Sequence, residues 1–189
     1  SYHPGKLVVV DTSENGLTEL VRDLRSSLNE FLPDEFITYP IDYGLPIFTK
    51  MFTARGPFDV IANFAAHKHV RSEKDVFSIE AMFRNNVFSV QNLCELALKN
   101  PPKHFFCVST DKAANPVNVM GASKRIAEMY ISCMEQEKKT KFITTRFGNV
   151  LGSNGSVIPL FRKQIEKGGP LTLTHKDVTR YFMTIPEAS

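Results

Sequence analysis

The chain has 189 residues, of which 42% are hydrophobic and 23% charged, and its formal net charge is +3. That length supports one good core and part of a second, and the small charge argues against a nucleic-acid partner. No apolar run approaches the roughly 20 residues that cross a bilayer, so we expect no membrane contact within this segment. Cys94, Cys107 and Cys133 lie in apolar contexts without metal-type spacing, which predicts reduced core residues of an intracellular protein.

Strand and helix patterns alternate along the chain, which predicts an α/β fold with a Rossmann-like doubly wound parallel sheet. In chain order we expect strand 6–11, helix 14–29, strand 36–41, short helix 46–54, strand 58–63, helix 76–99, strand 104–108, helix 120–137, strand 142–146 and helix 157–167. The long helix 76–99 carries an apolar stripe formed by Ile79, Phe83, Val87, Val90 and Cys94.

The first strand, 6–11, is apolar and ends in the acid Asp11. In a dinucleotide-binding fold this is typical of the second strand, whose carboxylate accepts both adenosine ribose hydroxyls. A first strand and a G-x-G-x-x-G turn are then expected upstream, and we interpret the chain as an interior portion of a longer protein. Thr12, Ser13 and Glu14 supply no arginine for a 2′-phosphate, which favours NAD over NADP. The alternative role for Asp11 is a helix cap.

The polar run Ser109–Lys112 is the strongest indication of chemistry. It follows the apolar run His104–Val108, a predicted buried strand, and ligands of open α/β sheets bind beyond the carboxyl ends of the strands. Met120 and Lys124 lie four residues apart, so they share one face of the next helix. A hydroxyl, a carboxylate and an amine therefore lie together at this place, which favours catalysis over packing.

The motifs as a set resemble those of one family. They are Ser109–Lys124, Arg146–Ser153, Gly155–Pro159 and Asp177–Thr184. The chain is similar along nearly its whole length to the UDP-N-acetylglucosamine 4,6-dehydratase-like polysaccharide-biosynthesis proteins, a branch of the extended short-chain dehydrogenase/reductases. The resemblance implies an NAD-dependent lyase that makes a UDP-4-keto-6-deoxy sugar by transient oxidation, water elimination and hydride return. It also implies a Rossmann-like domain over 1–150 and the beginning of a substrate-binding domain over 151–189.

The resemblance implies catalytic roles for Thr110, Asp111, Lys112, Met120 and Lys124. Thr110 would bind the C4 oxygen, Lys112 would remove the C5 proton, and Asp111, held neutral by an apolar site, would protonate the departing C6 hydroxyl. Related dehydrogenases have a tyrosine where Met120 stands, and a thioether exchanges no proton at neutral pH. Our hypothesis is that Asp111 takes the C4 proton through Thr110 or water. Adjacent residues of a strand point oppositely, so the joint acid–base role requires the chain to turn here.

Binding roles are also implied by the resemblance. Lys124 would contact the nicotinamide ribose and Asp42 the adenine, and the cofactor residues as a set are Asp11, Asp42, Tyr43, Ala65, Ala66 and Lys124. The implied substrate residues are Lys68, Asn149 and Arg180, and the guanidinium of Arg180 suits a diphosphate. The alternatives are a turn for Asp42, a solvated basic loop for Lys68 and a solvent-facing position for Lys124. Arg125 and Glu128 are expected at the surface.

A metal site at His67–Lys68–His69 is rejected, because no further ligand cluster completes it. The resemblance favours a homo-oligomer through the helices near 76–99 and 118–137, whereas apolar stripes that cover the chain's own sheet are the alternative. We expect a cytoplasmic location, with an anchor upstream of this segment left open.

Two other functions compete: a UDP-sugar epimerase of the same fold, and a non-catalytic nucleotide-binding module. Epimerisation at C4 needs no acid for cleavage of the C6–O bond, so the run Thr110–Lys112 discriminates against it.

Overall fold

A computed structural model describes residues 4–27, 33–68, 73, 75–135, 139–152, 157–173 and 175–188. The strands are β1 (Lys6–Asp11), β2 (Glu35–Pro40), β3 (Val60–Asn63), β4 (His104–Thr110), β5 (Lys141–Phe147), β6 (Asn149–Val150) and β7 (Phe182–Met183). The α-helices are α1 (Glu14–Ser27), α2 (Pro46–Arg55), α3 (Val76–Phe83), α4 (Ser89–Lys99), α5 (Val119–Met134), α6 (Val157–Glu166) and α7 (Ile185–Ala188). Each predicted element is present within a few residues; the predicted ends of two helices, 28–29 and 136–137, lie outside the described residues.

The described strands are all paired in parallel, in three groups. β1 pairs with β2, β3–β4–β5 form a three-stranded sheet, and β6 pairs with β7. The predicted parallel architecture is therefore observed, but its hydrogen-bond ladders do not join β1 to β3. In the dinucleotide-binding strand order 3-2-1-4-5-6, the strand that the sequence predicts upstream would lie between those two strands.

The main core lies between one face of the β3–β4–β5 sheet and helices α4 and α5. Because successive side chains of a strand point to opposite faces, Phe105, Cys107 and Ser109 of β4 are buried against the helices, while Phe106, Val108 and Thr110 are half-buried on the other face. The ring of Phe105 packs on that of Phe142 from β5, with centroids 5.3 Å apart. This packing fixes β4, and with it the carboxyl end that carries the polar run.

The predicted single helix 76–99 is wrong in one respect, because a π-helical turn over Arg84–Phe88 separates α3 from α4. There the backbone N–H of Ser89 donates to the carbonyl of Arg84, five residues back, and the Ser89 hydroxyl donates to the same oxygen at 2.9 Å. Such turns interrupt the regular spacing of an α-helix and are frequent at functional sites. Met82, which the predicted stripe omitted, is fully buried, whereas Phe83 and Val87 are only half-buried.

The apolar side chains of the long helices serve two surfaces. Val90 and Cys94 belong to the chain's own core, with Ala127 and Ile131 of α5, so this end of the predicted stripe covers the chain's own sheet. A different set of apolar side chains remains 42–75% exposed on α3, the π turn and α5, namely Phe77, Phe88, Ile126 and Met129. Cys133 is exposed as well, contrary to the prediction that all three cysteines lie in the core. Within the described residues, no helix is long and apolar enough to span a bilayer.

Candidate active site

The turn that the joint role of Asp111 and Lys112 requires is present. β4 ends at Thr110, and Asp111–Ala113 form one turn of 3₁₀-helix. The hydroxyl of Thr110 donates to Oδ1 of Asp111 at 2.9 Å, and the ammonium of Lys112 donates to the same oxygen at 2.9 Å. The three side chains thus converge on one carboxylate oxygen instead of lying on opposite faces of a continuing strand.

The prediction that an apolar site holds Asp111 neutral is not met in this structure. Partial burial alone raises the pKa of this carboxyl, but the hydrogen bonds from Lys112 and Thr110 outweigh it and bring the pKa below its ordinary value. Both side chains of the pair are about one-third exposed, which explains why the hydrogen bonds together outweigh desolvation in setting the pKa of Asp111. Asp111 is therefore a carboxylate paired with the Lys112 ammonium in the free protein.

Helix α5 begins against this turn. Its first N–H groups are capped by Asn118, whose Oδ1 accepts from Gly121 N at 2.8 Å, and by Glu73, whose Oε1 accepts from Met120 N at 2.8 Å. A Cβ on Gly121 would lie 2.6 Å from the carbonyl oxygen of Lys112, so only glycine permits this close approach. The start of α5 is thus in close backbone contact with the 3₁₀ turn that carries Asp111 and Lys112.

Met120 and Lys124 are both buried on the inner face of α5, as their spacing predicts. The ammonium of Lys124 donates to the carbonyl of Val108 on β4 at 2.9 Å. Burial lowers the pKa of Lys124, against the opposing influence of Cys107 and Glu128. The solvent-facing alternative for Lys124 is therefore wrong, because the side chain lies between α5 and β4 with only 5% of its surface exposed.

Glu128, expected at the surface, is also buried. Its carboxylate accepts two hydrogen bonds from the guanidinium of Arg146 on β5, at 2.8 and 2.6 Å, and one from Arg125 at 3.2 Å. Burial raises the pKa of Glu128, but the hydrogen bonds from Arg146 prevail and the pKa lies below its ordinary value. This contact could not be predicted from the sequence, because Arg146 lies 18 residues from Glu128 along the chain.

A buried amide that sequence reasoning missed connects the loop after β3 to α5. Asn86, fully buried in the π turn, accepts from His67 N at 2.9 Å and donates to His67 O at 3.0 Å. Its amide also donates to the hydroxyl of Ser123 at 3.0 Å, and Ser123 in turn donates to the carbonyl of Met120 at 2.8 Å. An asparagine pair, Asn85–Asn86, in the middle of an apolar helix was the available signal.

The predicted cofactor residues lie at the carboxyl ends of three strands. Asp11 ends β1, is exposed and accepts from Ser13 N at 2.7 Å, while Ser13 itself caps α1. Asp42, after β2, accepts from Gly44 N at 2.8 Å, so it does form the turn that was its alternative role. Tyr43 is buried in the core, and its hydroxyl donates a hydrogen bond to the carbonyl of Asn85. Their contacts with a cofactor stay predictions, as do those of Ala65 and Ala66 after β3.

The predicted substrate residues lie in loops and on β6. Lys68 is exposed on the loop after β3. Asn149 lies on β6 and donates from Nδ2 to the carbonyl of Tyr181 at 3.0 Å, which ties β6 to the segment that carries Arg180. Arg180 is exposed and donates to the carbonyl of Thr179 at 2.9 Å. Among the described residues, no three His, Cys, Asp or Glu side chains cluster as metal ligands; His69 lies outside them.

Sequence comparison relates this chain to proteins of glycan synthesis. The profile of the polysaccharide biosynthesis protein family matches residues 1–189. Capsular polysaccharide biosynthesis protein CapD of Staphylococcus aureus is 43% identical over 191 residues, which are 100% of this chain and 31% of that protein. UDP-N-acetylglucosamine 4,6-dehydratase (inverting) of Campylobacter jejuni is 32% identical over 142 residues, 73% of this chain and 42% of that enzyme. The chain thus spans about a third of the length of CapD.

Structure comparison confirms the predicted Rossmann-like α/β fold. Pen from Bacillus thuringiensis superposes with a TM-score of 0.85 at 30% identity, over 98% of this chain and 57% of that one. The UDP-glucuronic acid 4-epimerase of Bacillus cereus, solved with UDP-glucuronic acid and NAD, superposes with a TM-score of 0.74 at 17% identity. That match covers 96% of this chain and 69% of the epimerase, and at this identity it shows the fold alone.

Proposed function

This chain belongs to the polysaccharide biosynthesis protein family, and on that premise we propose that it is part of a nucleotide-sugar 4,6-dehydratase. The proposed substrate is UDP-N-acetylglucosamine and the proposed product a UDP-4-keto-6-deoxy sugar. The observation that carries the proposal is the hydrogen-bonded cluster of Thr110, Asp111 and Lys112 at the end of β4. Removal of the C5 proton and loss of the C6 hydroxyl need one base and one acid close together, and this cluster supplies both.

The residues present fit a nicotinamide cofactor. Asp11 offers an exposed carboxylate at the end of β1, where ribose hydroxyls are bound in this fold. An ammonium has three N–H donors, and the Val108 carbonyl accepts one from Lys124, so the others suit the hydroxyls of a second ribose. We propose NAD because the residues that follow Asp11 carry no arginine. When bound, NAD would accept a hydride from C4 of the sugar and return it to C6.

The protein's own part in the reaction follows from the Asp111–Lys112 pair. A lysine that removes the C5 proton must be a neutral amine, and an acid that protonates the C6 hydroxyl must be a neutral carboxyl. The free protein holds the opposite arrangement, an ammonium 2.9 Å from a carboxylate. Asp111 reaches its state by taking up the proton of the C4 hydroxyl, and Lys112, which is about one-third exposed, reaches its state by releasing its own proton to solvent. Lys112 then takes the C5 proton, and Asp111 gives its proton to the hydroxyl that leaves as water. When the hydride is returned to C6, Lys112 gives its proton back to C5.

Met120 cannot accept the proton of the C4 hydroxyl. Its thioether is buried and exchanges no proton at neutral pH, so the C4 proton needs another acceptor. Thr110 donates to Asp111, and a hydroxyl can accept one proton as it gives up another. We propose that Thr110 relays the C4 proton to Asp111 while Asp111 is still ionised. The same proton then serves the C6 hydroxyl, so the relay and the elimination use one carboxylate in sequence.

An epimerase is the competing proposal, since enzymes of that activity share the fold. We favour dehydration because simple epimerisation at C4 leaves no task for the Asp111–Lys112 pair. The decisive experiment incubates the full-length protein with UDP-N-acetylglucosamine and NAD and analyses the product by mass spectrometry and NMR. A loss of one water with a new C6 methyl signal, absent for Lys112→Ala and Asp111→Asn, is the expected result. An isomer of unchanged mass would establish epimerisation, and binding without turnover would establish a non-catalytic module.

We further propose a homo-oligomer and a cytoplasmic location. The apolar side chains left exposed on α3, the π turn and α5 form a face that a second copy would cover. Nucleotide sugars and NAD are cytoplasmic metabolites, so an enzyme that uses both belongs in that compartment.

A further inference from the structure

The cluster around Glu128 has no part in the proposed chemistry, yet it lies one helical turn from Lys124. Glu128 is 9% exposed at its side chain, whereas its partners Arg146 and Arg125 are 38% and 45% exposed. The carboxylate therefore lies at the buried end of the cluster, with the two guanidinium groups reaching it from the outer side. Residues four apart on a helix are neighbours, so the Glu128 carboxylate extends along the same face as the Lys124 amine.

Lys124 and Glu128 lie in the same packed region between α5 and the sheet. Cys107, Val108 and Ser109 of β4 and Thr144 of β5 surround them there. A charged amine in such a place is disfavoured by the loss of water, which is why burial lowers the pKa of Lys124. The Val108 carbonyl contributes a hydrogen bond, but only a negative charge can offset the desolvation of a cation substantially.

The charged groups that face Lys124 from the packed elements can be named. Cys107 on β4 is a neutral thiol, because burial raises its pKa. The neighbouring 3₁₀ turn carries Asp111 and Lys112, which neutralise each other. Asn86 and Ser123, on the side of the π turn, carry no charge. Within the described residues, Glu128 is thus the carboxylate that can compensate Lys124.

We propose that Glu128 is a positioning residue, whose carboxylate keeps the Lys124 ammonium protonated between β4 and α5. Arg146 fixes that carboxylate in place by two hydrogen bonds, and Glu128 balances two cations at once. Removal of Glu128 alone would leave the guanidinium of Arg146 and the ammonium of Lys124 without this carboxylate. This inference rests on the proposed function only for what Lys124 does, which is to hold the cofactor ribose.

Variants that change the charge of this cluster distinguish an electrostatic role of Glu128 from a packing role. Glu128→Gln removes one negative charge and leaves Arg146 in place, so Lys124 should lose its proton at a lower pH. Arg146→Gln removes the positive charge and leaves Glu128, so Lys124 should hold its proton to a higher pH. The double variant Glu128→Gln/Arg146→Gln removes one charge of each sign and should restore the wild-type midpoint, although it loses the same packing contacts.

The experiment measures the titration of Lys124 directly in full-length protein labelled with ¹³C at lysine Cε. The NMR signal of Lys124 is assigned by its absence in Lys124→Arg. We expect Glu128→Gln to lower the titration midpoint by about one pH unit or more, which is the effect of losing a nearby opposite charge. Arg125→Gln is the matched control, because Arg125 makes a single hydrogen bond of 3.2 Å to Glu128, whereas Arg146 makes two shorter ones, so the midpoint should move less than in Arg146→Gln.

A second readout is the pH at which NAD affinity declines, which should fall by the same amount in Glu128→Gln and return in the double variant. An unchanged Lys124 midpoint in Glu128→Gln would overturn the inference. So would a double variant that stays as displaced as Glu128→Gln, because the effect would then come from packing. If Glu128→Gln does not fold, Arg146→Gln still decides, since its midpoint must rise. The Lys124 titration needs no turnover, so a protein that proves not to be a dehydratase leaves this test intact.

Discussion

Asn86 offers the sharpest test of how the candidate site is held together. Its side chain is fully buried and makes three hydrogen bonds to other elements, two with the backbone of His67 and one with Ser123, beside a longer one of 3.3 Å from Nδ2 of the adjacent Asn85. The substitution Asn86→Ala removes the three bonds to His67 and Ser123 and leaves buried donors and acceptors without partners. The loop that carries Ala65, Ala66 and Lys68 would then lose its attachment to the π turn and to α5.

The size of the effect follows from those contacts. Each hydrogen bond contributes about 1 kcal/mol net, so Asn86→Ala should lower the free energy of unfolding by about 3 kcal/mol. For a chain of this length, that corresponds to a fall of roughly 6–12 °C in Tm. Ser123→Ala breaks one of the three bonds and also the bond from the Ser123 hydroxyl to the Met120 carbonyl, so it should cost about 2 kcal/mol. Because the two residues share a hydrogen bond, the double variant should be more stable than the sum of the single losses by about 1 kcal/mol.

Urea unfolding of the four proteins, followed by circular dichroism, measures these differences. Hydrogen exchange at the His67 amide should be faster in Asn86→Ala than in the wild type, because its acceptor is lost. A stability of Asn86→Ala within about 0.5 kcal/mol of wild type would refute the reasoning, since three buried hydrogen bonds cannot be lost at so small a cost.

Three other predictions concern the helix that carries Lys124. Gly121→Ala should destabilise the protein by about 1–3 kcal/mol and reduce turnover, because the new Cβ meets the Lys112 carbonyl at 2.6 Å; an unaltered Tm would contradict this. Glu128 has a lowered pKa in the folded state, so its contribution to stability is complete above its unfolded value, about 4.3, and is lost as pH falls through the folded value. The stability deficit of Glu128→Gln, measured by urea unfolding, should therefore be full at pH 7 and shrink at acid pH; a deficit independent of pH would count against the ion pair. Met129→Glu should shift the mass measured by light scattering from oligomer towards monomer, and an unchanged oligomer would place the interface elsewhere.

The regular part of the fold was predictable because hydrophobic periodicity reports which face of an element is buried. The run His104–Val108 predicted β4 correctly, and the spacing of Met120 and Lys124 correctly placed both on one buried face of α5. The π turn was not predictable in this way. A stripe counted at α-helical spacing through Ile79, Phe83 and Val87 contains no sign that the backbone gains a residue between them.

The candidate site was likewise predictable only in part. The sequence brought Thr110, Asp111 and Lys112 together, because neighbours in the chain need only one turn to converge. It failed for Glu128, whose burial depends on a guanidinium from a different strand. It also failed for the protonation of Asp111, which depends on where the Lys112 ammonium lies; residue order says which groups are available, not which side-chain conformation the fold selects.

The π turn at Arg84–Phe88 also bears on how the long helix would respond to a single-residue deletion. Met82 before the turn and Val90 after it are both buried, and they lie eight residues apart. At about 100° a residue, eight residues of regular α-helix would leave the two side chains about 80° apart around the axis, whereas seven residues would bring them within about 20° of each other. A deletion within the turn should therefore restore regular α-helix and keep both side chains on one face, so alignments of relatives should tolerate a single-residue gap here.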